Sequence, residues 1–477
     1  MSTNIAMSGN GVRFPHNETQ QQALEQRLPA MLANAEVDQP PIKDPYLNMA
    51  PFTTGDPHFV EEPVFDAGDG RPDGPTLRWD KSASSKVVSP ASVAWTHLKG
   101  VTWAKNFQTH FDRLPTAIAP KFRAQVLTTL AQIGVKATLI DGGPDGNGAL
   151  TDGDSLELVS QFRPGDGSVP DSTKRPTQHA AMVWFLSGLN SLAQNEWFGY
   201  VNPEPLIPAQ KIQELTDGVA TATMDQFSAD AILEQGSTRD IGLMLGAIGW
   251  YGTQASGSGQ QSLAVSYATE LADTLESTMD DTGRVANGAA NQAATQGVVG
   301  QGLAWASELD GVEYTDLADA AIGYLTDDLW DADAGTFASG VDDSTYRMTA
   351  RDAGDITGGL NAADAVLNTD IGAIYATYFD QTLNRGRLQR AERPNSRDED
   401  AEHTLPLPPA AGGEYGQAAV YNAAVAYDTD SDTWSVEDAT FKTGPALYLA
   451  NQEIWISQWN GAFYHGRGVP GHSEIPP

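Results

Sequence analysis

Residues that can exchange protons or grip oxygen-rich ligands recur at the starts of helix-forming segments in the second half of the chain. Arg239-Asp240, Arg351-Asp352 with Asp355, and Glu402-His403 with Glu414 each stand at or just before such a start, as do Asn291-Gln292 and, upstream, His179. If successive helices run parallel around one axis, their starts share one mouth. Asp240, Asp355 and Glu414 are then candidates for general acid and base in cleaving a glycosidic bond. Arg239, Arg351, His179 and His403 are candidates for holding the substrate, and Trp250 offers an aromatic face to a sugar ring. The competing reading is capping, because Asp, Asn and Gln in a first turn accept orphan N–H groups and suit the helix dipole. Capping does not require the Arg that precedes Asp at two equivalent starts, so that pairing favours a shared site.

A second concentration of ligand-type residues lies in the loop from Asp141 to Asp154, where acidic and Asn side chains alternate with glycines. Asp145, Asn147, Asp152 and Asp154 offer hard oxygens on a chain able to curl, which suits calcium, although the spacing is not that of an EF-hand. An acidic surface loop is the plainer reading. Asp428, Asp430 and Asp432 form a weaker candidate of the same kind, and Asp331 and Asp333 one weaker still. The eight histidines include no i, i+4 pair, so a zinc helix is not expected. His465 and His472 in the Gly/Pro-rich tail keep a transition-metal or haem site as a minor alternative. The chain has no cysteine, which excludes disulfides and thiolate chemistry. It also lacks a Gly-x-Ser-x-Gly elbow, a phosphate-binding loop and a dinucleotide fingerprint.

The elements that must position these groups show a period. Asp280, Asp331, Asp380 and Asp428, spaced 51, 49 and 48 residues apart, each follow a helix-like segment and precede a short turn. Helices are predicted at 177–194, 209–227, 240–253, 260–279, 292–308, 314–329, 355–367, 371–383, 414–427 and 445–459, making five pairs. The first member of a pair is rich in Gly and Ala, as in Gly242, Gly246 and Gly249 or Gly297, Gly300 and Gly302, which suits inner helices packed closely. Residues 1–90 read as an extended, partly irregular N-terminal arm. Residues 91–176 read as a helix pair with the acidic loop and short strands at 135–140 and 156–162. Residues 177–477 read as a repeat domain with a Gly/Pro-rich tail.

Helix pairs closed by short acidic turns, Trp330-Asp331 through Gly335-Thr336-Phe337 above all, resemble the α/α-toroid group, six-hairpin glycosidase-like and N-acylglucosamine-epimerase-like. The resemblance is architectural and covers about 177–460. It implies a mainly α fold, an α/α toroid of about five to six helix hairpins, without fixing a reaction.

Acidic residues outnumber basic ones 62 to 28, for a net charge of −34, and ten of the basic residues are Lys. Such a chain repels nucleic acid and anionic lipid. In composition it resembles the salt-adapted proteins of extremely halophilic archaea. No apolar run reaches membrane-spanning length, and the start shows no basic region followed by an apolar stretch, so a soluble chain is expected. Its location stays open between a halophile cytoplasm and an extracellular site reached by a removed signal, the latter slightly favoured. The expected function is a carbohydrate-acting hydrolase or lyase. The alternative is a non-catalytic binding or surface-assembly protein. Its expected ligand is a small molecule or carbohydrate.

Because self-repulsion is unscreened when the Debye length is long, stability should depend on salt. Denaturation midpoints are expected to climb steeply from about 0.1 M to molar potassium chloride. A flat profile would remove the salt-adaptation reading.

Overall fold

The computed structural model describes residues 10–13, 28–30, 32–33, 36, 49–60, 78–109, 116, 119–121, 123–127, 130, 150–151, 155–194, 209–389, 418 and 420–460. The chain divides into two compact units, Met1–Thr223 with Pro408–Gly416, and Met224–Leu407 with Gln417–Pro477. No helix among the described residues is long and apolar enough to cross a membrane.

The first unit is organised around helix α1 (Pro90–Thr109) packed against α2 (Pro176–Gln194), followed by α3 (Ala209–Gln226). Trp95 and Trp184, both buried, meet edge to face at 5.6 Å between the first two helices. Short antiparallel pairs accompany them: β1 (Gly11–Arg13) with β2 (Met49–Pro51), β3 (Thr54–Phe59) with β4 (Trp79–Asp80), and β5 (Gln161–Arg163) with β6 (Ser168–Asp171).

The second unit opens with α4 (Ala229–Gln235) and continues as helix hairpins. These comprise α5 (Thr238–Gly252) with α6 (Gly257–Thr278), α7 (Gln292–Ala306) with α8 (Thr315–Gly323), and α9 (Ala350–Ala365) with α10 (Gly372–Tyr378), followed later by α11 (Thr443–Asn460). Helices α5, α7, α9 and α11 lie side by side in that order, while α6 and α8 back onto α5 and α7. Burial explains the division. In α6 the buried residues Ala264, Tyr267, Ala268, Leu271, Ala272 and Leu275 form one stripe at helical spacing. In α7 nearly every residue from Ala293 to Ala306 is buried, so that helix is enclosed on all sides.

Glycine sets how close the inner helices come. A Cβ on Gly297 of α7 would meet the Asp355 carbonyl of α9 at 2.4 Å, and one on Gly242 of α5 would meet the Val298 carbonyl at 2.9 Å. Two turns beyond Gly242, Gly249 faces the backbone of Trp305 and Ala306, so α5 and α7 run parallel. The outer helices α8 and α10 both continue into π-helical turns, at Tyr324–Asp328 and Phe379–Arg385.

The recurring Asp residues divide into two kinds. Asp280, Asp331 and Asp428 each use Oδ1 to accept the backbone N–H of a residue two or three positions on, closing a tight turn. Asp331 does so inside the hairpin of β7 (Trp330–Asp331) and β8 (Thr336–Phe337). Asp380 instead lies within a π-helical turn and pairs with Arg385 at 2.9 Å.

The expected helix over 414–427 is corrected: Ala424–Asp428 is the strand β10. It lies at the centre of an antiparallel sheet between β9 (Thr345–Thr349) and β11 (Thr433–Asp438). The alanines suggested a helix, but Val425 and Tyr427 alternate with them at period two. Tyr427 stands opposite both Tyr346 and Trp434, with ring centroids 5.9 and 5.3 Å apart, and this aromatic row favours the sheet. The expected outer helix over 445–459 is corrected as well, since α11 packs beside α9 in the inner row.

Gly297→Ala should destabilise the protein by about 1–3 kcal/mol, because the added methyl overpacks a backbone contact. Gly323→Ala, with nothing within 4 Å of the new methyl, should stabilise by up to about 1 kcal/mol. Urea denaturation of both variants checks the opposite signs.

Candidate functional site

Sheet and inner helices meet at one place in the second unit. Strand β9 ends at Thr349, which caps α9 in a reciprocal box. Asp352 N donates to Thr349 Oγ1 at 3.0 Å, and Thr349 N and Oγ1 donate to Asp352 Oδ2 at 2.8 and 2.6 Å. That box fixes the first turn of α9 and with it Arg351, Asp352 and Asp355. The other oxygen of Asp352, Oδ1, lies 2.8 Å from Arg239 Nη2 on α5. Arg239 Nε donates to Asp355 Oδ2 at 2.5 Å, and Tyr448 Oη on α11 donates to Asp355 Oδ1 at 2.7 Å. Arg351 reaches in the opposite sense, with Nη2 donating to Asp240 Oδ1 on α5 at 2.7 Å and Nε 3.7 Å from Asp355 Oδ2.

These five charged groups differ sharply in access. The Asp355 side chain is 0% exposed and that of Arg239 9%, whereas Asp240 is 15% and Arg351 31% exposed. Burial pushes the Asp355 carboxyl above its ordinary range, opposed by Arg239, Arg351 and the Tyr448 hydroxyl. Burial also works against the Arg239 charge, but Asp355, Asp352 and Asp240 outweigh it and hold the guanidinium more firmly protonated. Tyr448 is raised well above its ordinary value, first by burial and then by the Asp355 charge, so it stays a donor. The inner layer is therefore a closed ionic support, and the groups that can meet a ligand are Arg351 and Asp240.

The structure thus brings Arg239, Asp240, Arg351 and Asp355 together. It also separates two uses that look alike in sequence. Asp352 completes the capping box of Thr349 with one oxygen and meets Arg239 with the other, while Asp240, in the first turn of its own helix, makes no cap bond and is engaged by Arg351. Tyr448 was missed, because α11 was expected on the outside; its spacing within a Thr443-led helix carries no sign of the contact. Trp250 is not part of this cluster. It lies ten residues along α5 from Asp240, about 15 Å at helical rise, where it meets Trp305 edge-on at 5.7 Å.

His179 is in the first unit and serves packing. It is fully buried, the Leu158 amide donates to its Nε2 at 3.1 Å, and its Nδ1 lies 3.2 Å from Thr223 Oγ1. With Nε2 accepting, the proton sits on Nδ1 and the ring is neutral. Glu414, His403 and the calcium candidates Asp145, Asn147, Asp152 and Asp154 lie outside the described residues, as do His465 and His472. Among the described residues no group of three His, Cys, Asp or Glu side chains is placed to hold a metal ion.

No protein-family model matches the chain, and no curated protein matches it. Solved structures do. A sugar epimerase from a ruminal bacterium is similar at 10% identity and a TM-score of 0.50, covering 93% of this chain and 98% of that one. A cellobiose 2-epimerase from Bacillus thermoamylovorans, at 10% identity, covers 92% of this chain and 97% of that one with a TM-score of 0.45. An endoglucanase from the termite Nasutitermes takasagoensis, at 12% identity, covers 94% of this chain and all of that one with a TM-score of 0.46. The fold is mainly α and of the α/α-toroid class. At such identities the likeness shows the fold alone.

Burial, aided by Lys174, lowers the pKa of His179 from its ordinary 6.5 to about 3. Above pH 6.5 the residue is neutral in both states and has no effect. Between 6.5 and 3 the unfolded chain binds a proton that the folded chain does not, so stability falls as pH falls, by at most about 1.4 kcal/mol per pH unit. The stability of the parent relative to His179→Gln should therefore decline from pH 6.5 towards pH 4. A difference independent of pH would show that His179 does not titrate this way.

Proposed function

We propose that this chain acts on carbohydrate at the partly exposed Arg351–Asp240 pair, where the N-terminal ends of α5 and α9 meet. In this reading it is a hydrolase or lyase in which Asp240 exchanges a proton with the substrate and Arg351 holds it. The observation that carries the reading is the Arg351–Asp240 pair, partly exposed and backed by the fully buried Asp355. A charge pair backed by a carboxylate that is itself held by fixed donors is preoriented, which is what proton transfer and oriented binding both require. Asp355, sealed from solvent, is a positioning residue and not the proton donor. Glu414 takes no part in this reading, because the helix over 414–427 that made it a candidate gives way to the strand β10. The fold shared with a sugar epimerase points in the same direction, although fold by itself assigns no chemistry. Calcium at Asp145, Asn147, Asp152 and Asp154 is a separate proposal, supported by the alternation of oxygen ligands and glycine.

A second reading, a binding protein without turnover, is favoured by one feature. Two of the three carboxylates in the cluster, Asp352 and Asp355, are already engaged by protein donors and buried, leaving a single accessible carboxylate. Incubation with a panel of oligosaccharides, followed by product release, separates the two. Turnover that falls about 10²–10⁴-fold in Asp240→Asn supports the enzyme. Turnover unchanged by Asp240→Asn rejects this site, and binding without turnover in the parent selects the second reading.

A further inference from the structure

The partly exposed pair leaves polar capacity unused. Among the described residues the Arg351 guanidinium makes one hydrogen bond, Nη2 to Asp240 Oδ1, and Asp240 Oδ2 accepts none. A donor edge of Arg351 and an acceptor oxygen of Asp240 therefore stand side by side. Neither can readily swing away. The Nε of Arg351 is drawn towards Asp355, which Arg239 and Tyr448 hold from two other helices.

An adjacent donor and acceptor of this kind match two neighbouring hydroxyls. One hydroxyl donates to the carboxylate oxygen, and the oxygen of the next accepts from the guanidinium. Charge decides between neutral and acidic sugars. The cluster sets two guanidinium groups against three carboxylates, a formal charge of −1, within a chain of net charge −34. The positive charge of Arg351 is already matched by Asp240 and faces Asp355. An added carboxylate or sulfate would find no excess of positive charge here and would meet Asp240 as a like charge. A neutral polyol meets no such opposition.

Resting on the carbohydrate reading above, we propose that the ligand is a neutral sugar, recognised through a vicinal diol by Asp240 Oδ2 and the outer edge of the Arg351 guanidinium, with uronates and sulfated sugars discriminated against. The test is calorimetric titration of the full chain with glucose, mannose, galactose and their β-1,4-linked dimers, and with glucuronate and galacturonate. Neutral sugars should bind with an affinity that changes less than about twofold between 0.5 and 2 M potassium chloride, since no net charge is brought to the site. Asp240→Asn, which keeps the side-chain shape, should weaken them about tenfold or more through loss of a charge-assisted hydrogen bond. For an acidic ligand the same substitution removes a like charge and should tighten binding. Preferential binding of the uronates, or tighter sugar binding by Asp240→Asn, would overturn the neutral-diol assignment while leaving a carbohydrate site in place. If no sugar of either class binds at millimolar concentration, the carbohydrate reading falls with it. The salt series on the unmodified protein keeps the assignment testable even if the variant is unstable.

Discussion

A carboxylate without solvent access is the constraint around which the second unit is arranged. Asp355 sits where α5, α9 and α11 approach one another, and removing a carboxylate from water costs several kcal/mol unless donors replace the lost hydration. Arg239 and Tyr448 supply those donors from two different helices. Arg239, itself buried, needs Asp352 and Asp355 in return, so no member can leave without stranding a charge in the interior. The starts of these helices are thereby tied to one another. The orientation of Arg351 and Asp240 at the edge follows from that tie.

Such a network can form only if the helices come close, and here glycine is decisive. With backbones of α5, α7 and α9 in contact at Gly242 and Gly297, a side chain from α5 reaches α9 past the start of the intervening helix. Deeper in the same row the polar theme continues. Gln301 of α7 and Gln452 of α11 exchange two amide hydrogen bonds of 3.0 Å, and Asn361 of α9 donates to the Gln452 carbonyl at 2.8 Å. A buried amide pair is satisfied in one register alone, so this layer fixes the axial alignment of α7, α9 and α11.

The sheet contributes at the other end. Its aromatic row, Tyr346, Tyr427 and Trp434, packs with Ala334 and Ala338, and the Tyr346 hydroxyl donates to Asp331 Oδ2 at 2.9 Å. The turn that Asp331 closes is thus joined to strand β9, and β9 delivers Thr349 to its capping position. A turn motif distant in sequence from the charged cluster helps to set where that cluster begins.

Apart from α4 (Ala229–Gln235), which was not expected, the sequence by itself determined the helices of residues 209–383, the glycine-rich inner members and the two Arg-Asp doublets, because these depend on local spacing and composition. It also determined the excess of negative charge. Tertiary structure decided the rest. Whether an Asp in a first turn caps its helix or joins an ion pair cannot be read locally, since the two uses differ little in energy and the partner lies 111 residues away for Asp240 and Arg351. Asp352 joined the capping box because Thr349 stands in place at the end of a strand, and Asp240 was left to Arg351. Ala424–Asp428 became a strand because two neighbouring strands offered aromatic partners, which outweighed the helix preference of its alanines. The inner position of α11 brought Tyr448 onto Asp355, and that contact exists only once the helices are packed.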